Sequence, residues 1–227
     1  MTRITEQLAG LQTRIRKAAE RAGRNNDSVT ILAVSKKQSI EAIREARAAG
    51  LLDFGENYLQ EALTKIAESG PEFRWHFIGA IQSNKARPIA ENFTWVHTVD
   101  SLRIARRLSA HRPPELGELQ TCIQVRPINA ERRGGIPADE VFALAEAMQD
   151  LPLIHLRGLM IIPLPGQATA EIRSEFARTR ELLGELVQRG HDLDTLSMGM
   201  SADLESAIMQ GSTIVRIGTD LFGPRTQ

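Results

Sequence analysis

Val29-Thr30-Ile31-Leu32-Ala33-Val34-Ser35-Lys36 sets the reading of the whole chain. The run from Val29 to Ser35 carries no charge and is rich in β-branched residues, which suits a strand covered on both faces. Helical spacing follows over 39–49, and Gly50 stops it. A buried strand that ends in a polar turn and leads straight into a helix is one half of a parallel-sheet unit.

The same alternation continues downstream. Further strands are expected at 51–54, 73–78, 93–99, 119–125, within 153–162, at 193–197 and at 213–217. Helices are expected at about 57–69, 83–91, from a cap at Asp100 or Ser101 to about 110, 137–150, 168–189 and 202–210. Pro137 opens one of these in the first turn, where proline is favoured, and Gly190 stops another. The stretch 112–117 is a loop by composition. Ahead of the first strand, Ile4, Leu8, Leu11, Ile15 and Ala19 recur at helical spacing and predict an amphipathic helix.

Eight strands with intervening helices predict an α/β fold, a (β/α)8 TIM-type barrel with an additional N-terminal helix. The sequence stops soon after the eighth strand, so the N-terminal helix is expected to take the place of the closing helix. A doubly wound open sheet is the competing architecture. With no internal repeat, low-complexity tract or linker, the reading is one domain over 1–227.

Composition narrows the function. The formal net charge is zero and the pI about 7.0, so no broad electrostatic footprint for nucleic acid is present. The most basic stretch, 103–107 with Arg112 beyond it, reads as a solvated helix face. No apolar run suits a membrane span and the N-terminus lacks a signal-peptide core, so a cytoplasmic protein is expected. Cys122 is the single cysteine, which rules out an internal disulfide, and its apolar surroundings suit a small core residue. Histidines 76, 97, 111, 155 and 191 show no metal-ligand spacing, and His76 reads as a core residue rather than a base.

Barrel sites lie at the C-terminal ends of strands. The first strand ends on Lys36 and Lys37, in a chain whose lysines stand only at 17, 36, 37, 65 and 85. A Schiff base needs an amine, which arginine cannot supply. Lys36 is preferred because it continues the strand; an ordinary loop charge is the equal alternative. Far downstream, Ser197-Met198-Gly199-Met200-Ser201 and Arg216-Ile217-Gly218-Thr219 follow strands seven and eight, where barrels often hold phosphate. Gly199 and Ser201 are read at a helix entrance, with Ser197, Gly218 and Thr219 as further donors. A simple N-cap at Ser201 and a turn glycine at 218 remain open. Arg216 is placed to bond a pyridine nitrogen or a phosphate, or to pair with a carboxylate. A lysine at one strand end and an anion cradle at two others is the layout for pyridoxal 5'-phosphate (PLP) held as a Lys36 aldimine.

At these residues the chain resembles the pyridoxal phosphate homeostasis protein family. The resemblance runs over nearly the whole length. It rests on Ala33-Val34-Ser35-Lys36, Phe54-Gly55-Glu56-Asn57-Tyr58, Trp75-His76-Phe77-Ile78-Gly79, Gln82-Ser83-Asn84-Lys85, Arg157-Gly158-Leu159-Met160, 196–201 and 215–219. It implies a barrel like the alanine racemase N-terminal domain, with PLP on Lys36. It also implies Ser197, Gly199, Met200, Ser201, Arg216, Gly218 and Thr219 around phosphate and ring, with Asn57 close to the ring. Members are thought to buffer and deliver PLP, with apo PLP-dependent enzymes as recipients and without robust turnover. Arg126 stands where relatives usually have asparagine, Arg133 where they have lysine, and Lys37 where threonine is commoner. These departures leave the cofactor residues intact and bear on the loop after strand five.

An enzyme remains the alternative. A two-base racemase needs proton donors on both faces of the cofactor. Alanine racemases take the second, a tyrosine, from an additional C-terminal domain. Here Tyr58 is the only tyrosine, and the sequence ends at Gln227. A PLP carrier acting as a monomer, a racemase-like PLP enzyme and a cofactor-free Schiff-base aldolase are the readings carried forward. No metal site is expected.

Overall fold

A computed structural model describes residues 2–131 and 133–223. Its centre is a closed barrel of parallel strands in the order β1 to β8. The strands are β1 (Thr30–Val34), β2 (Asp53–Glu56), β3 (Arg74–Phe77), β4 (Trp95–Val99), β5 (Leu119–Val125), β6 (Ile154–Ile161), β7 (Thr195–Met200) and β8 (Ile214–Ile217). β1 pairs with β8 through Thr30 to Ile214 and Ala33 to Ile217. That pairing closes the ring and removes the open-sheet alternative.

The helices are α1 (Arg3–Arg21), α2 (Ile40–Ala48), α3 (Leu59–Glu68), α4 (Ala86–Asn92), α5 (Leu102–His111), α6 (Val141–Met148), α7 (Thr169–Gln188), α8 (Leu204–Met209) and α9 (Thr219–Phe222). Thr2 caps α1 and Ser101 caps α5, each accepting an N–H in the first turn. α1 buries Ile4, Leu8, Leu11, Ile15 and Ala19, the stripe its sequence predicts, plus Ala18. Burying each of its larger aliphatic side chains contributes about 1.5–3 kcal/mol. α1 packs against α2, α8 and α9, so it occupies the closing position of the helical ring.

Strand alternation sorts the side chains. Ala33, Phe54, Trp75, Phe77, Val96, Ile123, Leu196, Val215 and Ile217 join the main core with the helices. Leu32, Ile78 and Ile214 form a separate buried cluster, against which Val34 and Trp95 pack. The barrel is filled rather than open.

Several expectations need correction. β7 runs through Gly199 to Met200 instead of ending at 197, with an irregular register between Ser197 and Met200. The glycine pattern predicts a loop, but Gly199 (φ 94°) bends the strand without ending it. Consequently α8 opens at Leu204, and Ser201 lies in the preceding turn rather than at the helix entrance. Thr219 opens the short α9, which the sequence pattern did not suggest. Arg103, Arg106 and Arg107 are exposed as expected, but Arg112 is buried. Its guanidinium donates to the carbonyls of Ala90, Phe93, Leu116 and Gly117, so it ties the C-terminal end of α4 to the loop ahead of β5.

Candidate functional site

The C-terminal rim gathers most of the residues singled out from the sequence. β1 ends at Val34, and Lys36 and Lys37 form a turn above it. The two lysines are not equivalent. Lys37 is exposed and sits in the left-handed region (φ 61°), whereas Lys36 is half-buried.

Beneath this turn lies an ion cluster that the sequence did not reveal. Lys65, on α3, donates to the Ser35 carbonyl (2.7 Å), Glu56 Oε1 (2.8 Å) and Glu61 Oε1 (2.6 Å). Those three acceptors match the three donors of an ammonium. The Ser35 hydroxyl donates to Glu56 Oε1 (2.7 Å), and the Lys37 N–H to Glu61 Oε1. Both neighbours of Lys36 are therefore anchored to one buried cation. Burial pushes the Glu56 carboxyl above its usual range, while its bonds to Lys65 and Ser35 pull the other way. The available signals were the scarcity of lysine and the Glu61 to Lys65 helical spacing; neither tells where the pair points.

The next strand end supplies Asn57. Its side-chain oxygen is buried without a hydrogen-bond partner. A buried unsatisfied acceptor carries a penalty of about 1–3 kcal/mol, which a bound donor would relieve. Tyr58 beside it is exposed.

Ser197 and Arg216 lie inside the barrel, not on the open rim. Ser197 is fully buried, and its hydroxyl is engaged by His97 Nδ1 (2.8 Å) and Arg216 Nη1 (2.9 Å). The hydroxyl expected from the sequence as a phosphate donor thus meets His97 and Arg216. Arg216 Nη1 also donates to the Ser197 carbonyl (2.6 Å), and Nη2 to the Ile161 carbonyl (2.8 Å). Burial pushes the Arg216 guanidinium down to about 10, with the charge of Asp203 opposing it. Its contacts are carbonyls and a hydroxyl, unlike the carboxylate pair considered from the sequence.

Two loops lie beyond these residues. At Gly199 a Cβ would come within 2.5 Å of the Ala207 Cβ, so close helix packing as well as positive φ requires glycine. Gly218 has negative φ, and a Cβ there would meet Val34 only at ordinary contact distance. Glycine at 218 thus leaves backbone open where the fold does not demand it. The Met200 N–H is already taken by Asp203 Oδ1, and the Met200 side chain is exposed.

Arg14 of α1 joins both loops. It donates to Glu205 Oε1 (2.7 Å), Asp220 Oδ2 (2.6 Å) and the Ser201 carbonyl (2.9 Å). In a trans peptide the N–H of Ala202 points opposite to that carbonyl, away from α1. The N–H groups that open α9 have no acceptor within the helix. Lys36, Asn57, Ser201 and Gly218 thus stand on strand-end turns of one rim, with Thr219 opening α9 next to Gly218 and Arg216 beneath them.

Other candidates fall away. Burial pushes the Cys122 thiol up to about 12, which fits an inert core residue. Among the described residues no histidine, cysteine or carboxylate group is arranged to hold a metal. No helix of the described residues is long and apolar enough to cross a membrane. Arg126 folds its own loop by donating from Nε and Nη2 to the Gly135 carbonyl (3.1 and 2.7 Å), while Arg133 is exposed.

The family described as "Alanine racemase, N-terminal domain" matches residues 7–226. The pyridoxal phosphate homeostasis protein of Pseudomonas aeruginosa is 55% identical over 99% of this chain and 97% of its own length. The chain belongs to the pyridoxal phosphate homeostasis protein family. The member from Escherichia coli K12 is 46% identical, over 99% of this chain and 98% of its own. PipY of Synechococcus elongatus, solved with PLP bound, superposes with a TM-score of 0.85 at 38% identity. That match covers 97% of this chain and all of PipY. The family expected from the sequence motifs, and the barrel it implies, are both borne out.

Proposed function

We propose that this chain is a single-domain, cytoplasmic PLP-binding protein that holds the cofactor on Lys36 and serves its homeostasis and delivery, acting as a monomer and without catalytic turnover of its own. The observation that carries the reading is the convergence on one barrel rim of the Lys36 turn, the unsatisfied Asn57 oxygen and the two glycine-containing loops tied by Arg14. This rim occurs in a chain similar over its full length to proteins named for PLP homeostasis. PLP offers a carbonyl carbon to an amine, and an aromatic ring and phosphate to surrounding donors. Lys36 supplies the amine, the backbone near Ser201, Gly218 and Thr219 supplies anion donors, and Asn57 and Arg216 face the ring; Ser197 acts through Arg216. Gly199 and Met200 shape the loop.

A racemase-like enzyme is the second reading, since the family shares its barrel with alanine racemase. The exposure of Tyr58, the only tyrosine, counts against a second base fixed over the cofactor. Holo-protein mixed with an apo PLP-dependent enzyme is expected to restore its activity faster than PLP escapes spontaneously into a trap. Equal rates would remove delivery and leave a reservoir. The same holo-protein is expected to leave a panel of L-amino acids unchanged. Repeated turnover to D-amino or keto acids would overturn the carrier reading.

Arg14 yields a separate expectation. Arg14→Ala removes the polar ties from α1 to both loops while leaving Lys36 in place, so equilibrium dialysis should show PLP held about fivefold more weakly, the scale of lost loop pre-organisation. The visible spectrum of bound PLP should be unchanged. A spectral change with full affinity would contradict this role.

A further inference from the structure

A line of polar side chains crosses the otherwise filled barrel. Arg216 Nη1 lies 2.9 Å from Ser197 Oγ, and Ser197 Oγ lies 2.8 Å from His97 Nδ1. His97 Nε2 lies 2.9 Å from His76 Nδ1, and His76 Nε2 lies 3.0 Å from Asp53 Oδ1. The other Asp53 oxygen accepts from Arg74 (2.7 Å). The line starts on β8 beneath the rim, passes through β7, β4 and β3, and ends at the first residue of β2. Asp53, His76, His97, Ser197 and Arg216 are all buried.

The two ends determine every proton between them. A guanidinium only donates and a carboxylate only accepts. Asp53 therefore takes the His76 Nε2–H, which leaves His76 Nδ1 as an acceptor. His97 must then donate from Nε2, so its Nδ1 accepts from the Ser197 hydroxyl, whose oxygen accepts from Arg216. Each hydrogen bond points the same way, and both imidazoles stay neutral, as their burial favours. The parallel stack of His76 on Trp95 (5.5 Å between centroids) fixes the plane of one ring. Such a polarised chain links the buried Arg216 cation to the Asp53 anion without direct contact.

We propose that His97, His76 and Asp53 are positioning residues that orient Arg216 toward PLP through Ser197, so that a charge at the opposite end of the barrel tunes how the cofactor is held. The PLP half rests on the proposed function; the proton arrangement does not. Nitrogen-15 NMR of the imidazoles in PLP-free protein at neutral pH is expected to show His76 and His97 both neutral, each carrying its proton on Nε2. An Nδ1–H tautomer or a charged ring would overturn the chain. In holo-protein, His97→Phe and Asp53→Asn should each weaken PLP binding about tenfold, the scale of one hydrogen bond to a charged group. Both should also shift the absorption of the bound cofactor. Asp53→Asn preserves shape and one oxygen to accept from His76 while removing the charge and the acceptor for Arg74, so it decides the matter if His97→Phe fails to fold. Wild-type affinity and spectrum in a folded Asp53→Asn protein would refute the positioning role. Failure of the wild type itself to bind PLP would refute the functional reading while leaving the NMR result standing.

Discussion

Lys36→Ala is expected to lose PLP on dialysis, with apparent affinity reduced about a hundredfold or more, because covalent attachment adds to the contacts of the rim. The visible absorption of the bound cofactor should vanish, and the fold should persist, since Lys36 is a half-buried turn residue outside the core. Lys37→Ala is the matched control. Its side chain is exposed, and its contact to Glu61 is made by the backbone N–H, which the substitution retains. Lys37→Ala should therefore keep both spectrum and affinity. Retention of the band by dialysed Lys36→Ala, or its loss in Lys37→Ala, would move the attachment point elsewhere.

Lys65→Met should be the most destabilising of these changes. Lys65 is 6% exposed and Glu56 fully buried, so the substitution strands a carboxylate in the interior. Breaking such a pair costs about 3–5 kcal/mol. Denaturant unfolding with an unchanged slope measures it. Adding Glu56→Gln should recover part of the loss, because the uncompensated charge is removed while the Ser35 hydroxyl keeps an acceptor. A loss below about 1 kcal/mol would mean that Glu56 relaxes to solvent or takes up a proton at little cost. Variants that fold should also hold PLP less tightly, since the Ser35 carbonyl and the Glu61 carboxylate lose the cation that holds them under Lys36.

The barrel was legible because its signals are local. Uncharged β-branched runs such as 29–35 alternate with helical spacing, and Ser101, one of the two caps the pattern offers, caps α5. The rim was legible for a related reason: strand ends share one face in a parallel barrel, so finding the strands finds the loops. Local signals failed at 199–203. A glycine reads alike whether it ends a strand or bends one, and the Ala207 side chain that decides between them is eight positions away on another element.

The sequence by itself determined the eight strands, the amphipathic stripe of α1 and the family, and it singled out Lys36 as a candidate. Each depends on residue type and spacing within a short window, or on motifs that keep their order. Only the tertiary structure decided that Ser197 serves Arg216, that Lys65 anchors the turn bearing Lys36, and that His76 meets His97. These pairs join different strands and helices across intervening segments of varying length, so no fixed spacing encodes them. Their partners are chosen by which side chains the closed barrel turns inward and by the cost of leaving a buried polar group unpaired.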